Sequence, residues 1–130
     1  MLDHLAIDVS DLARSRRFYA AALAPLGYAI CREQGSAVGF GVGEGTGRSL
    51  DPGGDFWIAE GARPAPHIHF AFSAGSRAAV DAFHAAALAA GGEDNGPPGL
   101  RARYHPDYYA AFVIDPDGYN VEAVCHAAAG

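Results

Sequence analysis

Two histidines separated by one residue, His67 and His69, are the first candidates for chemistry in this sequence. They lie in the stretch APHIHFAF, where apolar residues alternate, so in a β-strand both imidazoles would point to the same face. Imidazole nitrogens bind Zn, Cu, Fe and Ni. The pair alone leaves three alternatives open: both histidines bind a metal, only one does, or both are polar side chains that fill the interior of a barrel without binding a metal.

An internal repeat indicates how the chain could bring a ligand set together. The matching segments are FYAAALAPLGY (18–28) with FHAAALAAGGE (83–93), and HLAIDVS (4–10) with HIHFAFS (67–73). Each strand-like run begins with His, ends with Ser and alternates apolar residues in between, so strand and helix repeat together. This match makes His4 the counterpart of His67 and leaves His69 without a counterpart.

Each half of the chain is predicted to form a βαβββ module. Ser10 or Asp11 is suited to cap a helix that runs to about residue 24, and a second helix is expected from about Ser76 to Ala90. Short strands follow each helix, at 28–33, 37–42 and 55–60 in the first half and near 93–101, 109–115 and 119–125 in the second.

The predicted fold class is therefore α+β, with two paired βαβββ modules forming an incomplete eight-stranded barrel around a metal cavity. We expect a single domain over 1–130, with module one at about 1–61 and module two at about 65–127. In such an arrangement the sheet faces opposite the helices carry the polar residues.

A carboxylate completes the predicted metal site. Positions related by a pseudo-twofold repeat lie close together when they flank its axis, so His4 and His67 are natural partners. Glu122 follows the turn-forming cluster DPDG and has apolar neighbours on both sides. A buried carboxylate without a partner is costly, whereas a divalent ion would satisfy it. Two imidazoles and one carboxylate leave about half of an octahedral metal's positions open for water and substrate.

Three stretches resemble the signature stretches of the vicinal oxygen chelate superfamily, which includes glyoxalase I, extradiol dioxygenases, methylmalonyl-CoA epimerase and bleomycin-resistance proteins. They are DHLAIDVSDLARSRRFYAAAL, PHIHFAF and DPDGYNVEAV. The resemblance covers nearly the whole chain. It implies that His4, His67 and Glu122 hold a divalent ion such as Fe, Mn, Ni or Zn. It also implies lyase, isomerase or dioxygenase chemistry on a small oxygen-chelating substrate, or alternatively a metal-free binding protein of the bleomycin-resistance type.

One position departs from the glyoxalase I pattern. The strand that corresponds to DFWIAEG carries a fourth ligand, a carboxylate, in glyoxalase I, where this chain has Ile58 or Trp57. Glu60, at the end of the strand, could enter the site after a small change of register. The resemblance to glyoxalase I itself is therefore incomplete at the metal.

Other side chains could take part in proton transfer. The resemblance implies that His69 faces the substrate or supports the metal ligands. The loop at 99–112 concentrates arginines, tyrosines and one histidine, so His105 or Tyr108 could act in acid/base steps while an arginine holds an anionic substrate. The alternative for this loop is a solvated rim whose tyrosines pack on the barrel. His126 shares a strand face with Glu122 by parity.

Composition excludes several classes of function. The net charge of −6 and nine scattered basic residues argue against nucleic-acid binding. All nine are arginines, and the absence of lysine excludes Schiff-base chemistry. No apolar stretch approaches the roughly 18 residues of a membrane span, and two isolated cysteines favour a reducing compartment. We expect a cytoplasmic protein with a small-molecule substrate, and the predicted sheet edges between the modules would allow a homodimer.

Overall fold

The computed structural model describes residues 2–45, 48–62 and 68–129. His67 lies outside these ranges. The first module contains β1 (Leu5–Val9), α1 (Leu12–Leu23), a 3-10 turn (Ala24–Leu26), β2 (Ala29–Gln34), β3 (Ala37–Gly41) and β4 (Phe56–Glu60). The second contains β5 (His69–Ser73), α2 (Arg77–Ala89), β6 (Glu93–Leu100), β7 (Tyr109–Ile114) and β8 (Asn120–Cys125).

Each module folds into its own four-stranded sheet. The strand orders are β1-β4-β3-β2 and β5-β8-β7-β6, and the first pair in each sheet is parallel while the others are antiparallel. The two sheets are not closed into a barrel. The predicted α+β class with two paired βαβββ modules is confirmed, and the barrel is incomplete as expected.

Side-chain caps fix where both long helices begin. The Asp11 carboxylate accepts a hydrogen bond from the backbone N–H of Arg14, and the Ser76 hydroxyl accepts one from Ala79. Both caps satisfy a backbone donor that the first helical turn leaves unpaired. Neither helix is long and apolar enough to cross a membrane within the described ranges.

The helix caps reveal the true register of the repeat. The cap of α1 follows His4 by seven residues, and the cap of α2 follows His69 by the same seven. Phe18 and Phe83, both fully buried, are 65 positions apart, as are the two caps. The structure therefore pairs His4 with His69, which corrects the match of His4 with His67. A shift of two residues preserves strand alternation, so periodicity alone could not detect it.

One hydrophobic core joins the two modules. It includes buried side chains from both helices and from β1, β3, β4, β5, β7 and β8. The Phe56 ring of β4 lies 5.5 Å from that of Phe70 and 5.1 Å from that of Phe72, both on β5. Because these alternate residues face the core, His69 and Ala71 project from the opposite face and are exposed.

Hydrogen bonds between the turn before β8 and the first module connect the two modules. Tyr19 of α1 donates a hydrogen bond to Asp115 with an O–O distance of 2.5 Å, and both side chains are buried. Tyr119 donates to the backbone carbonyl of Asp8 at 2.7 Å. Asp117 accepts from the backbone N–H and the hydroxyl of Ser10. Burial raises the pKa of Asp115, while the bond from Tyr19 opposes that rise.

Replacing Tyr19 by phenylalanine is expected to lower the free energy of unfolding by about 1–3 kcal/mol, because the buried Asp115 then loses a hydrogen bond. Urea denaturation followed by circular dichroism measures the change. Tyr104→Phe is the control, since Tyr104 is exposed, and its effect should stay within about 0.5 kcal/mol. Equal losses in the two variants would contradict a specific role for the Tyr19 hydroxyl.

Candidate metal centre

Glu122 is a buried carboxylate on the sheet face opposite the core. Its neighbours Val121 and Ala123 pack into the core, so the Glu122 side chain points the other way. It is nevertheless only 2% exposed. Oε2 lies 3.0 Å from Nε2 of His69, and Oε1 accepts a hydrogen bond from the Tyr108 hydroxyl. Both carboxylate oxygens are therefore held in place.

The two ring nitrogens of His69 have different partners. Its Nδ1 lies 3.0 Å from the backbone carbonyl oxygen of Asn120, which can only accept, so Nδ1 carries a proton. Ligating histidines usually donate their other ring N–H in this way. Nε2 is left facing Glu122 at 3.0 Å. Two donor atoms at this separation fit neighbouring positions on one ion with bonds of about 2.0–2.2 Å.

His4 repeats this pattern at the start of module one. Its Nδ1 lies 2.9 Å from a carboxylate oxygen of Asp3, which leaves Nε2 available to a ligand. The hydrogen bond to Asp3 raises the pKa of His4. His4 and His69 line the same cavity of about 550 Å³, which lies between the edge strands β1 and β5. The two counterparts of the repeat thus open onto one space.

A second group of possible ligands surrounds His4. One ligand atom each from Asp3, His4 and Asp51 lie within 4.8 Å of one another, whereas His4, His69 and Glu122 do not form such a group among the described residues. Asp51 belongs to the segment that joins β3 to β4. No periodicity or motif connects Asp51 with His4, because the fold of that loop decides their proximity.

The first module offers no carboxylate at the position equivalent to Glu122. Glu122 is the strand partner of Ala71, and the corresponding partner of Ala6 is Trp57. The Trp57 indole donates to the carbonyl of Gly54 at 3.1 Å. Of the two residues that the sequence allowed here, Trp57 occupies the position.

Glu60 lies at the other end of β4, away from this position. Its Oε1 accepts a hydrogen bond from the backbone N–H of Leu12 at 3.3 Å, at the N-terminus of α1. It therefore supports a helix start.

The other two residues that the sequence predicts as catalytic, Tyr108 and His105, form a cluster that reaches Glu122 through the Tyr108 hydroxyl. Burial, and then the hydrogen bond to Glu122, raise the pKa of Tyr108 to about 12. Tyr108 consequently keeps its proton at neutral pH and acts as a donor to the carboxylate. Its ring lies 5.4 Å from that of His105 and 5.3 Å from that of His126. His126, which the sequence placed here only by parity, belongs to this cluster.

Comparison with known proteins agrees with this architecture. The model of the Glyoxalase/Bleomycin resistance protein/Dioxygenase superfamily matches residues 1–123. A glyoxalase/bleomycin resistance protein from Albidiferax ferrireducens T118 is 34% identical, with a TM-score of 0.76 over 96% of this chain and 98% of that chain. A search of curated proteins finds no match.

More distant structures share the fold. A glyoxalase-related enzyme from Fulvimarina pelagi is 18% identical, with a TM-score of 0.67 over 96% of this chain and 87% of that chain. The fosfomycin resistance protein FosX from Mesorhizobium loti is 19% identical, with a TM-score of 0.68 over 96% of this chain and 91% of that chain. At these identities the likeness concerns the fold alone.

Proposed function

The chain belongs to the glyoxalase/bleomycin resistance/dioxygenase superfamily, and from that premise we propose that it is a divalent-metal-dependent enzyme. Its substrate would be a small molecule that offers the metal two neighbouring oxygens. The reaction would be of the lyase, isomerase or dioxygenase type. The competing candidate is a metal-free protein that sequesters a small molecule.

The contact between His69 and Glu122 carries this proposal. A buried carboxylate and an imidazole nitrogen lie 3.0 Å apart, and the other imidazole nitrogen is tied to a carbonyl oxygen. With Nδ1 protonated, a further proton must lie between Nε2 and the carboxylate oxygen when no metal is bound. A divalent ion would displace that proton and satisfy both groups.

We propose His4, His69 and Glu122 as the protein ligands. His4 and His69 are counterparts in the repeat, both use Nδ1 to hold an oxygen acceptor, and both line the same cavity. His67, the ligand that the sequence predicts, falls outside the described residues, so that prediction stands untested and the proposal gives the second imidazole position to His69 instead. Because Trp57 stands where a fourth ligand would lie, the metal would have three protein ligands, and its remaining coordination positions would be open to a substrate.

The bound metal would supply Lewis-acid polarisation of a substrate oxygen. The chain's own groups would set the geometry around it. Tyr108 holds one oxygen of Glu122 by donating a hydrogen bond, and the Asn120 carbonyl fixes the orientation of the His69 ring. Tyr108 retains its proton at neutral pH, so a proton acceptor in the reaction would have to be another group.

The proposed setting is a reducing compartment such as the cytoplasm. Cys31 is exposed, Cys125 is buried, and both thiols are free. We keep a small-molecule substrate and a homodimer as further parts of the proposal.

Metal analysis tests the proposal. Protein purified without chelator, or supplemented with Fe, Mn, Ni or Zn, is expected to retain about one divalent ion per chain. Inductively coupled plasma mass spectrometry measures the metal content. A parallel screen of α-ketoaldehyde thiol adducts, catechols and acyl-CoA thioesters separates the main chemistries. If the wild-type protein retains no metal after supplementation, that result contradicts the enzyme proposal and favours the metal-free alternative.

A further inference from the structure

The imidazole rings of His105 and His126 are in direct contact beside Tyr108, on the side of Tyr108 away from Glu122. Nε2 of His105 lies 2.8 Å from Nδ1 of His126, the ring centroids lie 5.1 Å apart, and the ring planes differ by 28°. The centroid distance equals the nitrogen separation plus about one ring radius on each side. The two nitrogens therefore point directly at each other, which is the geometry of an N–H···N hydrogen bond.

A backbone contact fixes the proton positions in this pair. The N–H of Asp107 donates to Nδ1 of His105 at 3.1 Å, so that nitrogen is unprotonated. In neutral His105 the proton is then on Nε2, which donates it to Nδ1 of His126. His126 in turn carries its proton on Nε2. The pair thus forms a directed chain of donors that starts at the backbone and ends at His126 Nε2.

The last donor of the chain is available to a ligand. His126 is exposed, and its Nε2 has no hydrogen-bond partner among the residues that the structure describes. An oriented donor that no protein acceptor uses can bind water or an acceptor on a small molecule.

This donor is connected to the candidate metal centre through Tyr108. His126 directly follows the last residue of β8 and lies four residues after Glu122, a separation of about 13 Å along an extended chain. Tyr108 bridges the interval, because its hydroxyl contacts Glu122 and its ring contacts His126. The Tyr104 ring lies 4.9 Å from that of Tyr108 at an interplanar angle of 54°, and the Arg103 guanidinium lies 5.0 Å from the Tyr104 ring. The ring cluster around Tyr108 therefore carries an N–H donor at His126 and a positive charge at Arg103.

We infer that His126, oriented by His105, determines ligand specificity by donating a hydrogen bond from Nε2 to an anionic oxygen at the distal end of the ligand. The ligand class is an elongated small anion, with vicinal oxygens at one end for the metal and a carboxylate at the other. The inference rests on the proposed function for the metal-binding end. An N–H donor binds an anionic oxygen more strongly than a neutral carbonyl, which favours a carboxylate at that end.

Two substitutions of His126 separate donation from positioning. In His126→Asn, the amide oxygen can still accept from His105, but the distal donor is gone. In His126→Gln, the amide nitrogen reaches the place of Nε2 and can donate, while the bond from His105 is lost. Nitrogen-15 NMR of the wild-type protein is expected to show both histidines as Nε2–H tautomers.

The binding test uses 2-oxo acids, which carry vicinal oxygens at one end, and titration calorimetry of Mn²⁺-loaded protein. The probes are 2-oxoadipate and 2-oxosuberate, whose extended chains approach the separation of Glu122 and His126, each compared with the methyl-ended 2-oxo acid of the same chain length. Wild-type protein is expected to prefer at least one of the two dicarboxylates about tenfold, as a hydrogen bond to a charged group predicts. His126→Asn should reduce this preference to about twofold or less, whereas His126→Gln should keep most of it.

Distinct outcomes overturn the inference and the proposed function. Equal affinity for dicarboxylates and methyl-ended acids, no measurable binding of either dicarboxylate, or an unchanged preference in His126→Asn overturns the inference. If the methyl-ended acids bind without Mn²⁺ and without Glu122, the proposed function is contradicted. The role of His126 is then still decided by whether the wild-type protein prefers the dicarboxylates and whether His126→Asn loses that preference.

Discussion

Replacing Glu122 by glutamine is expected to weaken Mn²⁺ binding by at least about a hundredfold. Loss of a group that merely orients a ligand typically costs 10- to 100-fold in metal affinity, so loss of a ligand's charge should cost no less. The amide has the same shape and can still accept the hydrogen bond from Tyr108. Titration calorimetry measures the affinity, and thermal unfolding verifies that the variant is folded.

Glu60→Gln is the matched control for this substitution. It makes the same change from carboxylate to amide, but at a residue whose oxygen caps α1. Its Mn²⁺ affinity should stay within about threefold of the wild-type value, because it lies on the helix side of β4. A large loss of affinity at Glu60 would restore it as a fourth ligand, and an unaffected Glu122→Gln would remove Glu122 from the site.

Replacing His69 by alanine should likewise lower Mn²⁺ affinity by about a hundredfold or more, whereas His67→Ala should leave it within about threefold. The reason is that His69 contacts Glu122 and shares the repeat position of His4. Calorimetry of the two variants side by side measures the difference. His84→Ala is the control, since His84 makes an equally short contact to a carboxylate, Asp94, outside the site.

The opposite order would assign the site differently. If His67→Ala abolishes binding while His69→Ala does not, the repeat match that pairs His4 with His67 describes the metal site. In that case His69 would support the ligands or face the substrate. Loss of affinity in His84→Ala equal to that in His69→Ala would show that general destabilisation explains both.

Much of the fold could be predicted because it depends on local patterns. Alternating apolar residues mark the strands, and Asp11 and Ser76 mark the starts of the helices through their caps. The segment EDNGPPGL is a poor strand by propensity. It nevertheless forms β6, with register shifts around Gly96 and Gly99, because it pairs with β7. Tertiary pairing overrides propensity there.

The details of the site depend on non-local contacts that no pattern contains. The strand match could slip by two residues because alternation is unchanged by such a shift, whereas the helix match between Phe18 and Phe83 already carried the correct offset of 65. The contact of Tyr108 with Glu122 and the approach of Asp51 to His4 depend on how two loops fold over the sheets. Strand parity predicted His126 on the face of Glu122, whereas its contact with His105 depends on the fold of the segment before β7.

Anomalous X-ray diffraction from crystals of the Mn²⁺-loaded protein tests the central claim most directly. The predicted result is a peak bonded to Nε2 of His69 and to a carboxylate oxygen of Glu122, with His4 supplying a second imidazole. A peak held by Asp3, His4 and Asp51 alone, with the His69–Glu122 contact unchanged at 3.0 Å, would contradict it.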